Sequence, residues 1–306
     1  MAEGKGKTWF IVGASRGIGH EFAAQLLNRG DHVFATVRKP GKEHDVAYWA
    51  DAKVEASHCT TLECDVLSEK SIDTCVAELA KTPGLHLDYA VINAGVLKYP
   101  NRATDVSYDD FAYHLHTNTI GPILVAQKLL KAGIPTGTIV FISSDSGSVS
   151  AFREHEDGFA AYGASKTALN VMARHMAAEL KRKGSRTTIL MLHPGEVSTD
   201  MAKIEGLDWE VEGQMEPSES VAACITTIES KGPDDSGTFW TWHDQVRHTV
   251  SVVIASVCRP ISTPLLDIES RLERCTDRRR VEYCRRAQAK VLIVKFDVKS
   301  FDISKE

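Results

Sequence analysis

No stretch of the chain approaches the roughly 18 consecutive apolar residues that a membrane-spanning helix requires, so no span and no membrane partner are expected. The first ten residues, MAEGKGKTWF, lack the apolar core of a secretory signal, and the expected location is cytoplasmic. Bridging and ligating cysteine patterns are also missing. The seven cysteines stand at 59, 64, 75, 224, 258, 275 and 284, with no CxxC pair and no His/Cys spacing of a zinc site. They read as reduced structural thiols, and no metal is expected. Positive charge is scarce over most of the chain: residues 1–245 hold 23 Lys+Arg against 33 Asp+Glu, whereas the remainder holds 13 against 8. An acidic body argues against a nucleic-acid partner, and only the basic tail keeps that reading in play. Internal repeats and low-complexity linkers are absent before residue 245.

What is present is alternation. Apolar runs of strand length (TWFIVGA, DHVFATVR, CTTLECDV, LDYAVINAG, GTIVFISS, TTILMLHPG, SGTFWTWHD) are separated by helical patterns over 17–29, 69–81, 106–131, 158–176 and 217–230. Strands that are continuously apolar are buried on both faces, which means a parallel sheet between two layers of helices. The expected fold is α/β, a doubly wound parallel sheet of Rossmann type in one domain over 1–245, with an atypical C-terminal extension over 246–306. Ligands of such sheets bind at the carboxyl ends of the strands, so chemistry-bearing residues should follow strands.

The first strand is followed by GASRGIGH, in which Gly13, Gly17 and Gly19 open the next helix. Residues without Cβ allow the backbone to approach a pyrophosphate lying on the positive helix N-terminus. The spacing departs from GxGxxG, and a tight turn alone would also use glycine. NAD-binding sheets usually end their second strand in a carboxylate; here the strand ends in Arg38. Arg38, with Arg16 from the glycine loop, supplies forked donors suited to a 2′-phosphate, so the expected cofactor is NADP(H).

Tyr162 and Lys166 lie one turn apart on one helical face, so a phenol and an ammonium can converge. A phenol with an ordinary pKa of about 10 can give a proton near neutral pH when its phenolate is stabilised, and a neighbouring ammonium does that. Ser144, after the fifth strand, is placed to donate to a carbonyl oxygen and to the alkoxide formed from it. Taken together, GASRGIG, the NAG of Asn93 to Gly95, Asn118 in HTNTIG, Ser144 in FISS, Tyr162 with Lys166, and HPGEVSTDM resemble, in this order, the short-chain dehydrogenase/reductase family, over about residues 7–243.

The resemblance implies a catalytic set of Asn118, Ser144, Tyr162 and Lys166, with Asn118 holding a water in a proton relay through Lys166. It also implies cofactor contacts by Gly13, Ser15, Arg16, Gly17, Ile18, Gly19 and Arg38, an adenine pocket at Asp65 and Val66, and a floor of Asn93, Ala94 and Gly95. Tyr162 and Lys166 face the same cofactor, Pro194 and Gly195 bend the chain beside it, and Val197 and Thr199 meet the carboxamide. Alternatives stand beside several of these: Ser143 competes with Ser144, Asn118 could cap or cross-link its helix, and Asp65 could only stabilise a turn. His114, His116 and His193 match no catalytic position of the family and are given structural roles.

Tyr162 follows Ser144 by 18 positions, more than many members of the family keep, and the surplus falls in SAFREHEDGFAA. An insertion there resembles a carbonyl-reductase-like subgroup and should line the substrate mouth. Its charges Arg153, Glu154, His155 and Glu156 read as solvated. The tail from Val246 has three readings: a loosely attached or disordered extension, a dimerisation or anionic-surface element, or the product of an erroneous gene model. The expected activity is reduction of a ketone or aldehyde to an alcohol, or the reverse, by an NADP-dependent oxidoreductase acting on a small molecule, with a homo-oligomer left open. A non-catalytic NADP-binding scaffold is the alternative.

Overall fold

The structure, a computed structural model, describes residues 6–41, 58–207, 211 and 213–247. Its strands are β1 (Thr8–Val12), β2 (His32–Val37), β3 (Cys59–Glu63), β4 (Leu87–Ile92), β5 (Thr136–Ile142), β6 (Thr188–His193), β7 (Thr238–Thr241) and the two-residue β8 (Val246–Arg247). The helices are α1 (Gly17–Asn28), α2 (Glu69–Ala80), α3 (Tyr108–Leu115), α4 (Gly121–Lys131), α5 (Ala160–Arg182) and α6 (Pro217–Glu229). One sheet runs β3-β2-β1-β4-β5-β6-β7-β8. Seven strands are parallel, and only β8 turns back, antiparallel to β7.

Alternate residues of β1 show why the strands read as unbroken apolar runs. Trp9 and Ile11 join the core on one face, with Phe22 and Leu26 of α1 and Val221 and Ile225 of α6. Phe10 and Val12 join the core on the other, with Ile72 of α2, Leu129 of α4 and Leu169 of α5. Both faces of the sheet are therefore dry, and polar function is confined to strand ends. The chain leaves β1 toward β2 and β3, then crosses back to place β4 on the other side of β1. β1 and β4 stay paired up to Val12 and Ile92, and the helices that follow them pack on opposite faces of the sheet, which opens a crevice at this switch point.

The helix expected over 106–131 is a helical run over 108–131, but it widens into a π turn at His116–Ile120, where the Gly121 N–H bonds to the His116 carbonyl. The cause is tertiary: Asn118 Nδ2 donates to Ser165 Oγ at 3.0 Å and Thr119 Oγ1 donates to the Ser165 carbonyl at 2.7 Å, pulling the bulge onto α5. Helix α5 itself extends to Arg182, past the expected end near 176, and stops at Gly184, whose φ of 70° suits a residue without Cβ. The β7–β8 hairpin carries the sheet two residues beyond the expected domain end at 245. The extension from residue 248 onward lies outside the described residues.

Phe141, fully buried at the centre of β5, reports on the shared core. Phe141→Ala is expected to lower the unfolding free energy by about 3–5 kcal/mol, read as a drop in the urea midpoint.

Candidate active site

A cleft opens at the switch point, with about 1250 Å³ of empty space including its open mouth. Its floor is built by close backbone approach. The Val12 carbonyl accepts from the N–H groups of Asn93 and Ala94 at 3.0 and 2.9 Å, and Asn93 Nδ2 donates to the Gly13 carbonyl at 2.9 Å. Gly13 has φ 84°, and a Cβ there would stand 2.8 Å from Ala94 Cα. Helix α1 then begins with Arg16 extended at its N-cap, no side-chain cap and no acidic residue in its first turn. No side chain of its own first turn caps its N–H groups or sets a negative charge against its dipole.

Of the residues expected to hold a cofactor, Gly13, Ser15, Arg16, Gly17, Ile18, Arg38, Asp65, Val66, Asn93, Ala94, Gly95, Tyr162, Lys166, Pro194 and Thr199 line this cleft. Gly19, Gly195 and Val197 do not. Gly19 instead packs where a Cβ would meet the Asn93 amide, Gly195 takes φ 87° against Met215 and Trp242, and buried Val197 bridges to Met215. Arg16 and Arg38 are exposed, and neither makes an ion pair among the described residues. Asp65 serves a turn as well as the cleft: its Oδ1 accepts from Leu67 N–H at 3.0 Å. Thr117, absent from the sequence reading, also lines the cleft; it is 7% exposed and its hydroxyl has no hydrogen-bond partner among the described residues. A polar atom left unmet in a buried wall, a glycine cradle and an uncapped helix start suit a phosphate-bearing dinucleotide. No motif marks Thr117, because what counts is its place on the π turn.

Helix α5 brings the phenol and the ammonium together. Lys166, 4% exposed, donates from Nζ to the Ile142 carbonyl at 2.9 Å, and Nζ lies 5.8 Å from the Tyr162 ring centroid. Burial lowers the Lys166 pKa to about 8. Burial also raises the Tyr162 pKa well above the ordinary phenol, the hydrogen bond with Ser144 opposes the rise, and the carboxylates of Glu196, Asp145 and Glu156 add to it. Ser144 sits behind the lining layer, in hydrogen-bonding range of the phenol, and its Oγ accepts from Ser146 N–H at 3.2 Å. Ser143 lines the cleft and donates to Asn170 Oδ1 at 2.7 Å, and Ser144 Oγ likewise has an acceptor, Asp145 Oδ1, at 3.3 Å.

Asn118, fully buried and also behind the lining, cross-links as well as caps. Its Oδ1 accepts from Val96 N–H at 2.8 Å, and its Nδ2 donates to the Val96 carbonyl at 2.9 Å and to Ser165. Both amide hydrogens are used, so only an oxygen lone pair of this side chain remains for a relay water. His114 is held as a neutral structural imidazole, accepting from Lys98 N–H at 3.1 Å while its Nδ1 meets the Asp110 carbonyl at 2.7 Å; burial lowers its pKa.

The insertion folds as short 3₁₀ turns at Val149–Ala151 and Glu154–Phe159. Glu154 and His155 are exposed, as expected, and Arg153 is part-exposed but paired rather than simply solvated. It pairs with Asp145 at 3.1 Å and with Glu156, and lies 3.9 Å from Glu196. Asp145, His193 and Glu196 bring ligand-type atoms within 4.8 Å of one another, and the guanidinium supplies the cation among them. The reason is tertiary, since the ends of β5 and β6 and the insertion meet only in the fold.

The family model described as short chain dehydrogenase matches residues 7–208. An uncharacterized oxidoreductase of Saccharomyces cerevisiae is 33% identical over 251 residues, covering 77% of this chain and 94% of the relative. Among solved structures, an NADPH-bound carbonyl reductase from chicken fatty liver superposes with a TM-score of 0.68 at 26% identity, covering 79% of this chain and 99% of its own. The carbonyl reductase Sniffer of D. melanogaster gives 0.66 at 26% identity, over 79% and 98%. With its parallel sheet, its glycine cradle and a family model matching about two thirds of its length, the chain belongs to the short-chain dehydrogenase/reductase family of oxidoreductases.

Proposed function

We propose that the protein is an NADP(H)-dependent carbonyl reductase that interconverts a ketone or aldehyde with its alcohol. The observation that carries this reading is the convergence of the Tyr162 phenol, the Lys166 ammonium and the Ser144 hydroxyl beside the cleft that the glycine turn, Arg16 and Arg38 line. When bound, the nicotinamide supplies or accepts the hydride. The chain's own residues do the rest. Ser144 turns its hydroxyl toward the substrate oxygen, and Tyr162 delivers the proton that converts the alkoxide to an alcohol. Lys166 keeps positive charge near the phenol and has N–H groups to spare beyond its bond to Ile142. Asn118 holds the loop after β4 against α5, which fixes the wall between cofactor and catalytic residues.

Arg38 at the end of β2 and Arg16 at the start of α1, neither in an ion pair among the described residues, support NADP(H) over NAD(H), as do relatives described as NADPH- or NADP-bound. Burial, and after it the carboxylates of Glu196, Asp145 and Glu156, raise the Tyr162 pKa and keep the phenol protonated near neutral pH, which leaves the Ser144 hydroxyl and the Lys166 ammonium to stabilise the phenolate as the proton departs.

Tyr162→Phe is expected to lower kcat about 10²–10⁴-fold in an NADPH oxidation assay with a carbonyl panel, with NADPH still bound in a fluorescence titration; undiminished turnover would exclude the phenol as proton donor. Arg16→Ala and Arg38→Ala should each raise KM for NADPH about 10- to 100-fold and leave KM for NADH unchanged, the loss of a charge-assisted phosphate contact. The depressed pKa of Lys166 has a stability signature in the cofactor-free protein. Between about pH 8 and its ordinary value of 10.5 the unfolded chain holds a proton that the folded chain has released, so stability rises with pH. Tyr162, raised instead, works in the opposite direction only above about pH 10. Urea midpoints of wild type relative to Lys166→Met should therefore climb from pH 8 to pH 10, and a flat difference would mean that the lysine titrates normally.

A further inference from the structure

Helix α5 starts without a cap of its own, since Phe159 at its N-cap offers no side-chain acceptor. The N–H groups of its first turn need acceptors from elsewhere in the chain. Two of them find the same atom. Asn101, in the loop after β4, accepts on Oδ1 from Ala161 N–H at 2.7 Å and from Tyr162 N–H at 3.1 Å, and its backbone carbonyl accepts again from Ala161 at 3.2 Å. The residue is 1% exposed, its Nδ2 donating to the Lys98 carbonyl at 2.5 Å and its N–H to the Gly158 carbonyl at 2.8 Å.

Its neighbours hold it in place. Arg102 Nε pairs with Asp157 at 3.1 Å, the rings of Tyr99 and Phe159 lie 5.1 Å apart, and the Tyr99 ring fills the space a Cβ on Gly158 would need. The loop over 98–102 and the end of the insertion thus form one clasp on the start of α5.

We propose that Asn101 is a positioning residue for the reaction, capping α5 from a distant loop and so fixing the backbone of Tyr162 and the place of its phenol relative to Ser144 and Lys166. This rests on the reading of Tyr162 as proton donor. A helix frays from its ends, and Tyr162 sits in the first turn while Lys166 lies a turn deeper, tied to Ile142. Loss of the cap therefore loosens the phenol and leaves the ammonium and the dinucleotide cleft in place.

Hydrogen exchange on the full-length protein reads the cap independently of activity. The amides of Ala161 and Tyr162 should exchange about tenfold faster or more in Asn101→Ala than in wild type, and equal exchange in the two overturns the proposal. In steady state with NADPH and a carbonyl substrate, Asn101→Ala should lower kcat roughly 5- to 30-fold with the NADPH Kd within about twofold of wild type. Asn101→Asp keeps an acceptor and should recover most of that loss. Ser236→Ala, which removes the acceptor of Ile189 N–H at the opposite end of the sheet, is the destabilised control with kcat unchanged. An unchanged kcat in folded Asn101→Ala, or an aspartate variant no better than the alanine, overturns the proposal. Where Asn101→Ala does not fold, the aspartate variant and the wild-type exchange decide: a Tyr162 amide unprotected in wild type overturns it. Absence of turnover by the wild type would instead sink the reading of the site, and the exchange data would still report whether the cap exists.

Discussion

The structure depends on one close approach, the contact of β1 and β4 at their carboxyl ends. One carbonyl, that of Val12, accepts from both Asn93 and Ala94, and the Asn93 amide returns a hydrogen bond to Gly13. This knot brings the glycine turn within touching distance of Ala94, which is why a residue without Cβ stands at 13. Because both sheet faces are sealed by apolar side chains, the crevice above the knot is where backbone N–H groups and polar side chains can meet a ligand.

Helix α5 is the second hub, and it is tethered on several sides. Lys166 reaches the end of β5, Ser165 receives Asn118 and Thr119 from the π turn, Thr167 and Asn170 reach the Gly147 carbonyl, and Asn101 takes the first N–H groups. Each tether is a polar group satisfied in a dry interior, so misplacing the helix would leave several unmet at once. The widened turn at His116–Ile120 follows from this demand. An ordinary helix would not present Asn118 and Thr119 to Ser165 together.

The insertion contributes charge balance at the ends of β5 and β6. Arg153 stands among three carboxylates and one imidazole near the phenol, with its Nε buried and unpartnered. Burial and the nearby Asp145 raise the Glu196 pKa. These charges are electrostatically coupled to the Tyr162 phenol, which gives the insertion a part beyond shaping a surface loop.

The strand runs, the glycine loop and the spacing of Tyr162 and Lys166 were legible in the sequence because each depends on local periodicity or on a residue type that a turn demands. From these the parallel sheet, its helical layers and most of the cleft lining follow, down to Arg16, Arg38 and the NAG floor. Three things were decided only when distant segments packed. Arg153 is paired because β5, β6 and the insertion converge; Asn118 spends its amide hydrogens because the π turn leans on α5; and Asn101 and Thr117 matter through neighbours some distance along the chain. Linear sequence carries the preferences of single elements, whereas the partner of a buried polar group is set by which elements the hydrophobic core brings together.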